Sequence, residues 1–211
     1  MPAPQATAEE LKIIDSRPGT VNQMFFDRVD TFADREAYSY PDADENWQKL
    51  TWRQTGDKVS RLAAGLVALG VESEQRVAIA SGTRVEWIFA DLAIMAAGAA
   101  TTTVYPTTIP DDVAYILADS DSRVVFAEDD EQVAKLREKR SELPAITKVV
   151  VTDGTTDGDW VISLDDLEAM GEEHLAAHPS AITDRVSATK PDSLATLIYT
   201  SGTTGRPKGV R

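Results

Sequence analysis

Residues 199–211 gather most of the groups in this 211-residue chain that could hold a ligand: Tyr199-Thr200-Ser201-Gly202-Thr203-Thr204-Gly205-Arg206-Pro207-Lys208-Gly209-Val210-Arg211. Three hydroxyls, Ser201, Thr203 and Thr204, are interleaved with Gly202 and Gly205, and Lys208 stands between Pro207 and Gly209. Glycine lets a backbone turn tightly and come close to a ligand. Successive loop amides and hydroxyls cradle an anion, and a lysine supplies the counter-charge. Thr200, Ser201, Gly202, Thr203, Thr204, Gly205 and Lys208 are therefore candidate phosphate-binding residues. The pattern is not a Walker A loop, which needs Gly, four residues, then Gly-Lys followed by Ser or Thr. In this chain Lys208 is followed by Gly209, and Gly202 and Gly205 are three apart. The competing reading of such a stretch is a surface loop rich in turn residues.

The elements that must position this loop follow from apolar periodicity. Leu194 to Tyr199 reads as a buried strand leading into it. Residues 1–19 read as a loose leading segment. Thr20-Val21-Asn22-Gln23 has the form of a capping box, in which a Thr caps and a Gln three later reaches back, so a helix of about ten residues is predicted behind it. Residues 36–40 and 48–52 have strand character around a turn, which predicts a hairpin. Thr51-Trp52-Arg53-Gln54 is a second capping box, and Val59, Leu62, Ala63, Leu66 and Val67 form a helical stripe ending at Gly70. Strands are predicted at 77–80, 100–105, 123–127 and 147–152. Helices between them start at Thr83-Arg84-Val85-Glu86 and at Pro110, and a charged helix is predicted from about 129 to 142. Residues 163–178 read as short helices and 179–193 as a polar connection. Strand–helix alternation with short connections predicts an α/β fold with a parallel, helix-flanked sheet. Fully apolar strands such as Val124-Val125-Phe126 fit burial on both faces.

Composition narrows the function classes. At 42% hydrophobic and 27% charged residues the chain is that of an ordinary globular protein. A net charge of -14 argues against nucleic acid or anionic lipid as the main partner. Without cysteine there is no disulfide, thiolate metal site or cysteine nucleophile, which fits a cytoplasmic protein. The segment from Trp87 to Ala100 is interrupted by Asp91 and falls short of the about 20 apolar residues a membrane span needs.

Other chemistries lose to plainer readings. His174 and His178 share a helix face, but a zinc-protease pattern would need Glu where Leu175 stands, so they read as a solvated face. Asp153, Asp157 and Gly158 resemble part of a calcium loop, whose closing Glu would fall on Leu164. They read as an acidic surface loop. No metal site is assigned. Trp47, Trp52, Trp87 and Trp160 read as packing residues.

Tyr199 to Val210 resembles the phosphate-loop signature Tyr-Thr-Ser-Gly-Thr-Thr-Gly-x-Pro-Lys-Gly-Val of the AMP-forming adenylate synthetases, the superfamily of acyl-CoA synthetases, peptide-synthetase adenylation domains and luciferases. Glu86-Trp87, Gly98-Ala99, Val104-Tyr105-Pro106-Thr107, Ala114-Tyr115-Ile116-Leu117 and Asp119-Ser120 are similar to the N-terminal region of long-chain fatty acyl-CoA synthetases. The resemblance covers most of residues 20–211, which it implies to be the N-terminal part of an AMP-binding domain, incomplete at its C-terminus. It implies a two-step ligase using ATP with Mg2+, a fatty acid and coenzyme A, with the loop on the β- and γ-phosphates. It also implies that the adenine, ribose and magnesium contacts and a catalytic Lys lie beyond Arg211, so that residues 1–211 alone would be inactive. Activation of an aryl, amino or carrier-loaded acid, a non-catalytic nucleotide-binding module, or an interaction domain with a relic loop remain open at this point, as do peripheral membrane contact and oligomeric state.

Overall fold

A computed structural model describes residues 7–16, 19–42, 44–200 and 206–211. The leading segment, expected to be loose, contains helix α1 (Ala8–Asp15). Helix α2 (Val21–Phe32) is capped by Thr20, whose hydroxyl accepts the Gln23 amide at 3.3 Å. The Gln23 side chain donates instead to Asp27 at 2.9 Å, so the expected capping box is one-sided. Strands β1 (Glu36–Pro41) and β2 (Trp47–Thr51) form the expected antiparallel hairpin. The Thr51–Gln54 box is complete at the start of α3 (Trp52–Ala68).

Strand β3 (Arg76–Ala80) leads to α4 (Val85–Ala96). Arg84 is its N-cap and makes no side-chain cap bond. The predicted Thr83–Glu86 cap fails because the Glu86 carboxylate is held by Arg84 Nε at 2.6 Å. Strand β4 (Ala100–Val104) and α5 (Pro110–Asp119) follow, with Pro110 in the first turn as expected. Strand β5 (Ser122–Asp129) is followed by α6 (Asp130–Glu138) and a separate 3-10 turn, Arg140–Glu142, so the charged helix predicted to 142 is divided. Next come β6 (Lys148–Asp153) and an unpredicted short strand, β7 (Val161–Ser163). The short helices expected over 163–178 are one helix, α7 (Leu164–Ala177), started by a Ser163–Asp166 capping box. The polar connection contains α8 (Ala181–Ala188), which buries Ile182 and Val186. Strands β8 (Thr196–Thr200) and β9 (Lys208–Val210) follow; β8, expected to be buried, is not, Ile198 being 46% exposed, because it lies near the margin of the sheet beside the short, exposed β9.

Seven of these strands form one sheet in the order β7-β6-β5-β3-β4-β8-β9. Every neighbouring pair is parallel except β8 and β9. The predicted parallel sheet is therefore present, with β3 at its centre. Side chains alternate across it. Val77 and Ile79 face one core with α3 and α4, while Ala78 and Ala80 face a second core with α5 and α6. Of the tryptophans, Trp160 is buried and donates its indole N–H to Ile146 O, and Trp52 and Trp87 pack against the first core. Trp47 corrects the expectation, being 70% exposed. It sits opposite Pro41 at the turn end of a two-stranded ribbon, next to exposed Gln48 and Lys49.

Helices α3 and α7 meet at backbone contact. A Cβ on Gly171 would lie 1.8 Å from Arg61 O, and one on Gly65 would lie 2.2 Å from Leu167 O. Beside this crossing Glu168 accepts from Arg61 Nε at 2.6 Å and from Lys58. Burial pushes the Glu168 carboxyl up, but the bonds from Lys58 and Arg61 outweigh it and hold the group below its ordinary value.

Gly171→Ala forces these helices apart and should cost about 3 kcal/mol in urea unfolding, the upper end of the usual overpacking range. Gly70 has φ +84 and open space around it, so Gly70→Ala should cost only about 1–2 kcal/mol through the backbone alone. Equal losses would show that the helices do not touch as described. Glu168, with its depressed folded value, contributes stability that is present above the unfolded carboxyl value and lost as pH falls through the folded one. The advantage of wild type over Glu168→Gln should therefore be full at neutral pH and shrink on acidification below the ordinary Glu value of 4.5. An advantage independent of pH would contradict this.

Candidate functional site

Ligands of open parallel sheets bind beyond the carboxyl ends of the strands, where successive connections diverge to opposite faces. That divergence occurs beside β3: α4 leaves it for the first core, whereas α5 and α6 follow β4 and β5 to the second. Hydrogen bonds and ion pairs link the ends of β3 and β5. Gly82 N–H donates to Glu128 at 2.7 Å. Arg84 reaches Glu86 and Asp153, each at 2.6 Å, and Glu128 at 3.8 Å. The bond to Glu86, against the cost of burial and with help from Asp153, pushes the guanidinium further up.

The hairpin of β8 and β9 lies two strands to the other side of β3. Its register pairs Ile198 with Val210, Tyr199 with Gly209 and Thr200 with Lys208. Directly opposed residues project to the same face, so Thr200 and Lys208, both exposed, stand side by side at the carboxyl end of β8. The Lys208 ammonium makes no ion pair with any described residue. Ser201, Gly202, Thr203, Thr204 and Gly205, the other candidates, lie outside the described residues. Gly209, which the sequence presents as a loop glycine, is a strand residue under an aromatic ring: a Cβ there would meet Tyr199 Cζ at 3.1 Å.

Sequence reasoning missed the support for this hairpin. Tyr199 OH donates to Asp119 at 2.6 Å. Burial first, and this bond second, push the Tyr199 phenol above its ordinary range. The Arg206 guanidinium lies 5.0 Å from the Tyr115 ring centroid. Both partners are on α5, and no local pattern in the sequence connects them to the loop.

The His174 and His178 rings are 4.8 Å apart. Among the described residues no cluster of three or more His, Asp or Glu converges as metal ligands. Asp157 accepts the amides of Asp159 and Val161 at 3.0 and 2.8 Å and pairs with Arg137. The Val161 bond above all holds its carboxyl at about 2. A cleft of about 510 Å3 lined by Tyr40, Lys58, Phe89 and Glu168 takes no described residue of the β8–β9 hairpin.

Comparison with known proteins gives this geometry a lineage. A long-chain-fatty-acid–CoA ligase of Mycobacterium tuberculosis, FadD15, is 37% identical over 163 residues, covering 77% of this chain and 26% of its own length. The mouse ligase ACSBG1 is 30% identical over 196 residues, covering 92% and 27%. The chain thus spans about a quarter of the length of the curated relatives it matches. Among solved structures, the anthranilate CoA ligase AuaEII in complex with anthranoyl-AMP superposes with a TM-score of 0.76 at 23% identity, over 93% of this chain and 35% of its own. A fatty acyl CoA synthetase of Mycobacterium tuberculosis does so with a TM-score of 0.60 at 21% identity, over 90% and 33%. These structures share the fold. The family model described as AMP-binding enzyme matches residues 25–211, from α2 through the Thr200–Lys208 hairpin, and on that match the chain belongs to the AMP-binding enzyme family.

Proposed function

We propose that this chain supplies the phosphate-binding part of an ATP-dependent ligase that converts a long-chain fatty acid to its acyl-CoA through an acyl-adenylate, residues 20–211 being the N-terminal part of its adenylation domain. The observation that carries the reading is the hairpin, which sets an exposed Lys208, without an ion pair among the described residues, directly across from Thr200 at the end of a parallel strand. That donor set suits a polyphosphate: one full positive charge, one hydroxyl and, from the sequence between them, Ser201, Thr203, Thr204 and the backbone at Gly202 and Gly205. The names of relatives at 30–37% identity favour a long-chain fatty acid as the carboxylate.

ATP supplies an electrophilic α-phosphorus. In the first step a fatty carboxylate oxygen bonds to it, the bond from that phosphorus to the bridging oxygen breaks, and pyrophosphate leaves. In the second, the coenzyme A thiol loses its proton and its sulfur displaces AMP from the acyl carbon. This chain's residues act on the first step. Lys208 and Thr200 hold the β- and γ-phosphates in line and neutralise the charge that develops on the departing pyrophosphate.

Two measurements test the proposal in the complete polypeptide that carries these residues. Exchange of labelled pyrophosphate into ATP should depend on a long-chain fatty acid; no exchange with any fatty, aryl or amino acid would overturn the assignment. Lys208→Ala should lower kcat/KM for adenylation by about 2–4 kcal/mol in transition-state terms, while its thermal midpoint stays near that of wild type, because the Lys208 side chain is exposed and makes no ion pair with any described residue. A loss of stability matching the loss of activity would make Lys208 a structural residue.

A further inference from the structure

We propose that one face of α5, through Tyr115 and Asp119, positions Lys208 for its anion, making both of them positioning residues of the phosphate site. The proposal rests on the phosphate-binding reading above.

Tyr115 and Asp119 are four apart in α5 and so lie one above the other on the same face. They hold the hairpin on both of its arms. On the β8 arm, Tyr199 OH donates to Asp119 at 2.6 Å. On the β9 side, Arg206, two residues before Lys208, lies with its guanidinium 5.0 Å from the Tyr115 ring centroid. The Tyr199 ring joins the arms. Its hydroxyl is fixed to α5, while its face lies against Gly209, the residue after Lys208 and the cross-strand partner of Tyr199. Lys208 is thus bracketed by Arg206 before it, Gly209 after it and Thr200 opposite, and the first two are referred back to α5.

The hairpin needs this outside support. Its ladder contains three residue pairs, and β9 pairs on one side only, at the end of the sheet. A ribbon of that length is marginal by itself. Helix α5, by contrast, is seated in the second core by Val113, Ala114, Ile116 and Leu117, all buried. A rigid, buried helix therefore references an exposed three-residue strand, and the coordinate it fixes is the position of an ammonium group. Because charge neutralisation falls off with misplacement, such a reference shows in anion affinity before it shows in overall stability. Burial and Asp119 raise the Tyr199 phenol, so it remains a donor at neutral pH.

The test titrates the complete polypeptide that carries these residues with inorganic pyrophosphate by calorimetry, with the thermal midpoint measured alongside. Tyr199→Phe keeps the ring and removes the donor. Asp119→Ala removes the acceptor. Each should weaken pyrophosphate affinity about threefold to tenfold, and the double variant should be little worse than either single one, because both break one bond. Tyr115→Leu should weaken it by a similar about threefold to tenfold, whereas Tyr115→Phe, which keeps the ring face, should restore it. Thermal midpoints should change little across the set. If wild type binds pyrophosphate and these variants bind it equally well, the positioning role is overturned while the phosphate reading stands. The same holds if each loss is matched by unfolding. Should Tyr115→Leu fail to fold, the near-isosteric Tyr199→Phe carries the test. If wild type itself has no affinity for pyrophosphate, the phosphate reading falls and this inference falls with it.

Discussion

The fold depends on β3 being covered on both sides. With Val77 and Ile79 on one face and Ala78 and Ala80 on the other, the strand contributes to both cores at once, and its backbone groups find partners in β4 and β5. Burial of both faces requires helices above and below, which the connections supply by turning in opposite directions on leaving β3 and β5. Small residues on the second face let α5 approach the sheet, where Val113, Ile116 and Leu117 complete the packing. The first face takes larger side chains and a second helix layer, in which α3 meets α7 through Gly65 and Gly171. The hairpin that carries Thr200 and Lys208 is added at the margin of this frame and contributes little to its core.

Much of this frame is legible in the sequence, for physical reasons that differ between elements. Strands buried on both faces read as continuous apolar runs, so β3, β5 and β6 are visible in the order of residue types alone. Helix α3 announces itself by its stripe and by a Thr51–Gln54 box in which both bonds form. What escapes reading is short or weakly apolar. Strand β7 has three residues, and α8 turns inward only Ile182 and Val186. The Thr20 and Thr83 motifs resemble capping boxes, but Gln23 finds Asp27 and Glu86 finds Arg84, partners that the local pattern does not decide between.

The same division runs through the candidate site. The residue types of the loop point to an anion, and the apolar run before it locates the loop at a strand end. That Lys208 belongs to a strand, and that it faces Thr200, are consequences of pairing which Lys-Gly-Val does not announce. The bond from Tyr199 to Asp119 joins residues 80 apart in sequence; only the seating of α5 against the sheet brings them together. Beside β3, where ligands are expected by analogy with other open sheets, Arg84 gathers Glu86, Glu128 and Asp153, an arrangement that only the packed structure reveals.

The cluster around Arg84 also polarises the molecule. One guanidinium there faces three carboxylates, Glu86, Glu128 and Asp153, so the carboxyl ends of β5 and β6 are negative on balance. Lys208 and Arg206 lie at the opposite end of the same rim. Four strand steps separate β6 from β8 in the sheet, a span of about 19 Å at the usual spacing of about 4.8 Å. The Debye length at physiological salt is about 8 Å, so the two ends act as independent local fields of opposite sign. Along one rim of the sheet the local composition thus changes from three carboxylates around a single guanidinium to the exposed cations Arg206 and Lys208.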